Sequence, residues 1–117
     1  MGSHLGNLEE MVLLVVAMMH EGARHEDARH ENAYGVSITD EYNKQANSNI
    51  SLSAVHTVLR RLEKKGFIES YMGGATQDRG GRRKRLYKIT RYGYNTLQEM
   101  QESRQRIWQQ IPKISFG

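Results

Sequence analysis

From residue 8 onward the apolar positions Leu8, Met11, Val12, Val15, Met18 and Met19 return every three or four residues, which predicts a helix over residues 5–20. Leu13, Leu14 and Val16 lie off that stripe. A helix apolar on nearly every side has to be buried on more than one side, so this one is expected to meet its own core and a partner subunit. Residues 21–32, EGARHEDARHEN, break the pattern. Two tandem pentads, Ala23 to Asp27 and Ala28 to Asn32, carry no apolar periodicity and are expected to form a solvated loop or a frayed helix extension.

A second helix is predicted over residues 34–47, with Ile38 and Tyr42 one turn apart on its core side and Asn32 as its cap. Asn47, Ser48 and Asn49 make a polar turn. Ser51 caps a third helix, which stops at Gly66, where only glycine takes a left-handed conformation cheaply. Around that helix Leu52, Val55, Val58, Leu59 and Leu62 share one arc and are expected to pack on the first two helices. Residues 67–72 and 85–90 alternate as hairpin strands, with Phe67, Tyr71, Tyr87 and Ile89 facing the core.

Thr90 caps a fourth helix, and Pro112 ends its pattern. Leu97, Met100, Ile107, Trp108 and Ile111 follow near-heptad spacing on it, with Arg104 in an inward slot. A helix placed after a complete core has no intrachain surface left to cover. Pairing with helix one of a second subunit would cover it, with Leu8, Met11, Val12 and Val15 facing Leu97, Met100, Ile107, Trp108 and Ile111. The expected fold is mainly α (α+β): a winged helix-turn-helix with a two-stranded wing and a C-terminal dimerisation helix. Residues 5–90 would form the DNA-binding domain, 91–112 the helix packed on it and 113–117 a tail, while residues 1–4, MGSH, read as an expression scar.

Charge sharpens this picture. The 117 residues suit one domain, and 17 Lys and Arg against 13 Asp and Glu leave a net +4, which attracts polyanions. The third helix turns Ser53, Thr57, Arg60, Arg61 and Lys64 outward, with His56 and Glu63 on one flank and Lys65 on the other. Ser53, His56 and Thr57, near the capping Ser51, suit base edges in a major groove, and the later cations suit phosphates. The hairpin connection, residues 73–84, is long, and Arg79, Gly80, Gly81, Arg82, Arg83 and Lys84 with Arg85 form an Arg-rich tip suited to the negative potential of a minor groove. Double-stranded DNA is therefore the expected partner.

Other classes fit less well. GGATQDRGGRRK lacks the GxxxxGK[ST] spacing of a phosphate loop, and no nucleophile elbow, catalytic metal set or paired carboxylates mark an enzyme, so no cofactor is expected. Absence of cysteine fits a reducing cytoplasm, and the longest apolar run, residues 11–19, falls short of the about 18 residues that span a bilayer. His20, His25 and His30 recur every five residues, whereas a helical pair chelates best four apart; a metal-responsive regulator stays as an alternative, with no metal site assigned. A non-specific basic nucleic-acid-binding or architectural protein is the other. Trp108 is either an interface anchor or a platform for a small aromatic effector, with Met11, Met18 and Met100 as adaptable surface beside it.

Four motifs occur in order over residues 5–111: LGNLEEMVLLVVAMM, AYGVSI, SLSAVHTVLRRLEKKGFIES, and RGGRRKRLYKIT followed by RYG. Together they make the chain resemble the PadR-like transcriptional regulators, in a short form similar to small multidrug sensors. The resemblance implies a homodimeric winged-helix repressor released by a small ligand, with helix three in the major groove, the Gly-Gly wing tip at the minor groove and a dimerising last helix. Three departures stand out. His56 replaces the usual Tyr, the pentads lengthen the link between helices one and two, and Arg104 stands where the drug sensors have a stacking Trp, with Trp108 about one turn beyond.

Overall fold

Two short-range polar devices fix the middle of the chain. The Ser51 hydroxyl accepts the Ala54 N–H at 3.1 Å and starts α3, Leu52–Lys64. Asn43 brackets Ile50, its amide donating to the Ile50 carbonyl at 3.2 Å and its carbonyl accepting the Ile50 N–H at 3.0 Å, so the turn before α3 is held from α2, Gly35–Ala46. Asn47 ends α2 with φ of 51°, a left-handed conformation that Asn tolerates better than most residues. The two helices of the helix-turn-helix thus have a set crossing. The structure, a computed structural model, describes residues 5–20, 33–73 and 84–117.

The helix α1, Asn7–Met18, opens with the Glu9 carboxylate accepting the Gly6 N–H at 2.8 Å. It threads the core. Val12, Leu13 and Val16 have no exposed surface and Val15 is buried, packed with Ile38, Val55, Val58, Leu59 and Leu62 of α2 and α3. Leu52 departs from the expected core arc at 40% exposure: at the first turn of α3 it lies beside Gly35 at the start of α2, outside the buried cluster. The expected cap of α2 also changes. Tyr34 is the N-cap, and Ser37 satisfies it by accepting the Tyr34 N–H at 3.0 Å and donating back to the Tyr34 carbonyl at 3.1 Å, so Asn32, outside the described residues, does not hold that position.

Gly66, with φ of +86°, turns the chain out of α3 into β1, Ile68–Met72, which pairs antiparallel with β2, Arg85–Ile89. The register sets Ile68 opposite Ile89, Ser70 opposite Tyr87 and Tyr71 opposite Leu86. Ile68 and Tyr87 face the core, while Tyr71 is 39% exposed, so the expected alternation is out of phase by one on β1. Phe67 is fully buried but precedes the strand, in the turn that leaves α3. Leu86, on the Tyr71 side, is buried for another reason: the chain at Ala33 and Tyr34 lies along the free edge of β2, where the Ala33 carbonyl accepts the Tyr87 N–H at 2.8 Å and Tyr34 bridges Leu86. That pairing closes the wing base onto the helix-turn-helix.

Thr90 then joins three elements. Its hydroxyl donates to the Gly66 carbonyl at 2.7 Å and accepts the Gly93 N–H at 3.0 Å, capping α4, Arg91–Gln109. Gly93 is there because a Cβ would stand 2.2 Å from the Phe67 carbonyl oxygen, and Tyr92 stacks on Phe67 with ring centroids 5.0 Å apart. Only Gly93 and Leu97 of α4 are buried, Met100 packs partly, and residues 101–109 are exposed. The architecture is a winged helix-turn-helix, mainly α, with a two-stranded wing and a long last helix that leaves the body.

Candidate nucleic-acid interface

The outer face of α3 is open along its length. Ser53, Thr57, Arg60, Arg61 and Lys64 are all exposed. Thr57 donates its hydroxyl to the Ser53 carbonyl at 3.1 Å, and the Ser51 and Ser53 hydroxyls are hydrogen-bonded to each other at 3.2 Å, so this first turn offers hydroxyl oxygens with free lone pairs. Since the capping oxygen of Ser51 is taken by Ala54, Ser51 acts first as a helix start. His56 is half-buried, its ring so near the start of α2 that a Cβ on Gly35 would lie 2.7 Å from its Cε1. The ring thus lies beside the Gly35 backbone, where a side chain at position 35 would displace it.

His56, Arg60, Glu63, Arg85 and Tyr87 line one groove of about 450 Å³ between α3 and the wing base. Across it the Arg85 guanidinium donates to the Ser70 hydroxyl at 2.9 Å, which donates to the Glu63 carboxylate at 2.7 Å. This relay ties the recognition-type helix to both strands, and Glu63, the one acid on the face, is engaged by it. Burial pushes the Tyr87 phenol above its ordinary pKa, a shift that Arg85 and Arg60 oppose and Glu63 adds to, so the group stays a neutral hydroxyl at the groove floor. Lys84 lies 4.0 Å over the Tyr34 ring, which orients the strand entering from the wing tip. Sequence patterning reached Arg85 and Lys84 by composition alone; the relay through Ser70 and the edge pairing of residues 33 and 34 depend on register and had no local signal.

Other cations have partners inside the fold. Lys65 donates to both oxygens of Glu9, at 3.0 and 3.1 Å. Burial pushes the Glu9 carboxyl up, but the Gly6 N–H and the Lys65 and Arg61 charges outweigh it and hold the group below the usual carboxylate range. Arg104 reaches from α4 to the buried Glu10 through both terminal guanidinium nitrogens, Nη1 and Nη2, and the pair holds the Arg104 guanidinium still more firmly protonated.

The wing-tip residues Arg79, Gly80, Gly81, Arg82 and Arg83 lie outside the described residues, as do His25 and His30. His20 is exposed at the end of α1, and among the described residues no three His, Cys, Asp or Glu side chains stand where they could hold a metal ion. Of the residues expected at a subunit interface, Val12, Val15 and Leu97 correct the expectation: at 0%, 4% and 5% exposure they are used by this chain's own core. Leu8, Met11 and Met100 are half-buried, and Ile107, Trp108 and Ile111 are exposed at 63%, 69% and 45%. Met11 and Met18, with Met100, rest against the core while Trp108 projects beyond it, so a single chain does not enclose all four as a ligand site. Among the described residues no helix is long and apolar enough to cross a membrane.

Similar proteins share this fold. An uncharacterised protein of Lysinibacillus sphaericus is 32% identical over 83 residues, covering 69% of this chain and 70% of that one. A PadR-like transcriptional regulator of Bacillus cereus superposes with a TM-score of 0.64 at 22% identity, over 87% of this chain and 84% of its own. Bacillus subtilis PadR, solved in complex with operator DNA, superposes with a TM-score of 0.57 at 17% identity, over 95% of this chain and 53% of its own. The two structural likenesses support the fold. Residues 28–103 match the transcriptional regulator PadR-like family, and with a winged helix-turn-helix in place over the same span the chain belongs to that family of regulators, which are not enzymes.

Proposed function

We propose that the chain works as a homodimeric, sequence-specific DNA-binding regulator in the cytoplasm, a repressor released by a small ligand. The observation that carries this is the outer face of α3. Ser53 and Thr57 offer hydroxyls at its first turns and Arg60, Arg61 and Lys64 offer charge further along, all exposed on a helix whose orientation Asn43, Ser51 and the wing-base relay constrain. Hydroxyls and His56 near the helix start would reach base edges while the cations take phosphates. The wing tip, Arg79 to Lys84, would add sequence-independent grip in the adjacent minor groove. A relative with the same fold, Bacillus subtilis PadR, has been seen bound to operator DNA.

Two copies would present two reading helices to the half-sites of a pseudo-palindrome and so double the base pairs read. The exposed apolar residues Ile107, Trp108 and Ile111, beyond the point where α4 leaves the core, are the surface through which the second copy would pair. An aromatic effector would enter between the copies, where Trp108 of one chain could meet Met11, Met18 and Met100 of the other.

The test is selection of duplexes from genomic fragments, followed by competition against random DNA at about 0.15 M salt. A regulator of this class should prefer its selected site by at least about 10³-fold. Equal retention of all duplexes overturns sequence specificity in favour of a non-specific basic module, and a monomeric mass by sedimentation overturns the dimer.

A further inference from the structure

Among the described residues, the last half of α4 has one polar tether to the body. Helix α4 extends for about 28 Å at 1.5 Å per residue, yet its packing on the described core, through Tyr92, Gly93, Leu97 and Met100, is confined to its first ten residues. One turn further on, Arg104 bends back to Glu10, occupying both carboxylate oxygens, one at 2.6 Å. The Glu10 side chain is 4% exposed, whereas that of Arg104 is 56% exposed. The acid is therefore the fixed point and the arginine the arm. A two-pronged guanidinium fork specifies direction as well as distance, unlike a greasy contact that can slide. Next to it on α1, Glu9 holds Lys65 at the C-terminal end of α3. Two successive side chains of one buried helix thus anchor the helix expected to read DNA and the helix expected to join subunits.

We infer that Glu10 and Arg104 are positioning residues that set the spacing between the two DNA half-sites, an inference resting on the dimeric DNA-reading function above. Half-sites one turn apart put each reading helix about 17 Å from the dimer axis. A tilt of α4 by about 10° moves a helix at that radius by about 3 Å, close to the about 3.4 Å rise of one base pair. Freedom at this single tether thus supplies the displacement between neighbouring spacings, though only part of the about 35° twist that comes with each base pair, which is enough to blunt the preference for one spacing.

The experiment uses the full chain and a set of duplexes that carry the selected half-site twice, with the centre-to-centre spacing varied one base pair at a time. Wild type, Glu10→Met/Arg104→Met and Arg104→Lys are compared. The double Met variant removes the fork without stranding a buried charge, a replacement that folds commonly tolerate; its melting curve and sedimentation mass are recorded beside the binding. Wild type should favour its best spacing over neighbours by about tenfold, the double variant by no more than about threefold, and Arg104→Lys should fall between because an ammonium is a point charge. Each profile is normalised to that variant's own best site, so a general loss of stability does not flatten it. A profile equally sharp and unshifted in both variants overturns the positioning role. A duplex with both half-sites scrambled is the control: wild type that binds it as tightly as the rest overturns the DNA-reading function and this inference with it, whereas a wild-type profile flat across spacings yet well above the scrambled duplex overturns this inference alone.

Discussion

Lys65 and Glu9 join the end of α3 to the first turn of α1, the ammonium sitting 3.0 and 3.1 Å from the two carboxylate oxygens. Glu9 also accepts the Gly6 N–H, so one acid both starts α1 and holds the far end of α3. Its pKa in the folded chain lies below its ordinary value of 4.5. A depressed carboxylate contributes stability that is present above the ordinary value and is lost as pH falls through the lowered one. Glu9→Gln is therefore expected to lower stability by about 1 kcal/mol at neutral pH, with the gap from wild type closing in acid. Urea melts at pH 7 and below pH 4 check this, and a gap that stays constant would count against the ion pair.

Gly93 sits where α4 crosses the exit of α3, and a methyl group there would meet backbone, the Phe67 carbonyl oxygen at 2.2 Å. Backbone cannot rotate away as a side-chain tip can. Gly93→Ala should destabilise by about 1–3 kcal/mol or more despite the gain in helix propensity. Thermal unfolding measures it, and an unchanged or raised Tm would show that α4 has room to slide.

How far the sequence could be read depended on how local each signal was. Helix α3 was legible at both ends because Ser51 and Gly66 act within a few residues of themselves, and the outward set from Ser53 to Lys64 follows from its period. The strand face was misphased on β1 because burial of Phe67 belongs to the turn leaving α3, while Ile68 begins the strand on the core side. Leu52 looked like core since periodicity marks a face of the helix and not how far along it the buried cluster reaches. Val12, Val15 and Leu97 could serve a core or a partner equally well by pattern, and only packing separates them from Ile107 and Trp108. Spacing sets Arg104 in an inward slot of α4 but does not name Glu10 as its partner, and the tie of Arg85 to Glu63 through Ser70 leaves no trace in spacing, because both ties join residues far apart in the chain.

Trp108 is 69% exposed on a stretch of α4 with no core beneath it. Such a residue contributes little to the stability of one chain and much to an interface that encloses it. Trp108→Ala should leave the monomer's fold intact, seen by circular dichroism at low concentration, while weakening association by about 2 kcal/mol or more. Sedimentation equilibrium over a concentration series reads the shift, and unchanged association would remove Trp108 from the interface.

On α3 the hydroxyl turn and the cationic turns should separate in their salt behaviour. Arg60, at the lining of the groove, and Arg61 are both exposed and charged, as phosphate ligands would be, whereas Ser53 and Thr57 carry no charge to release counterions. Arg60→Ala/Arg61→Ala should weaken binding to every duplex and make the slope of log affinity against log salt shallower by about 0.9 for each phosphate no longer neutralised. Ser53→Ala/Thr57→Ala should leave that slope in place and relax preference at the bases they touch, by about 1–3 kcal/mol of discrimination for a well-made hydrogen bond. Anisotropy titrations at several salt concentrations, each with matched and mismatched duplexes, distinguish the two. If the hydroxyl variant changed the slope and the arginine variant changed the base preference, the division of labour along α3 would be reversed, and the helix would enter the groove by its other end.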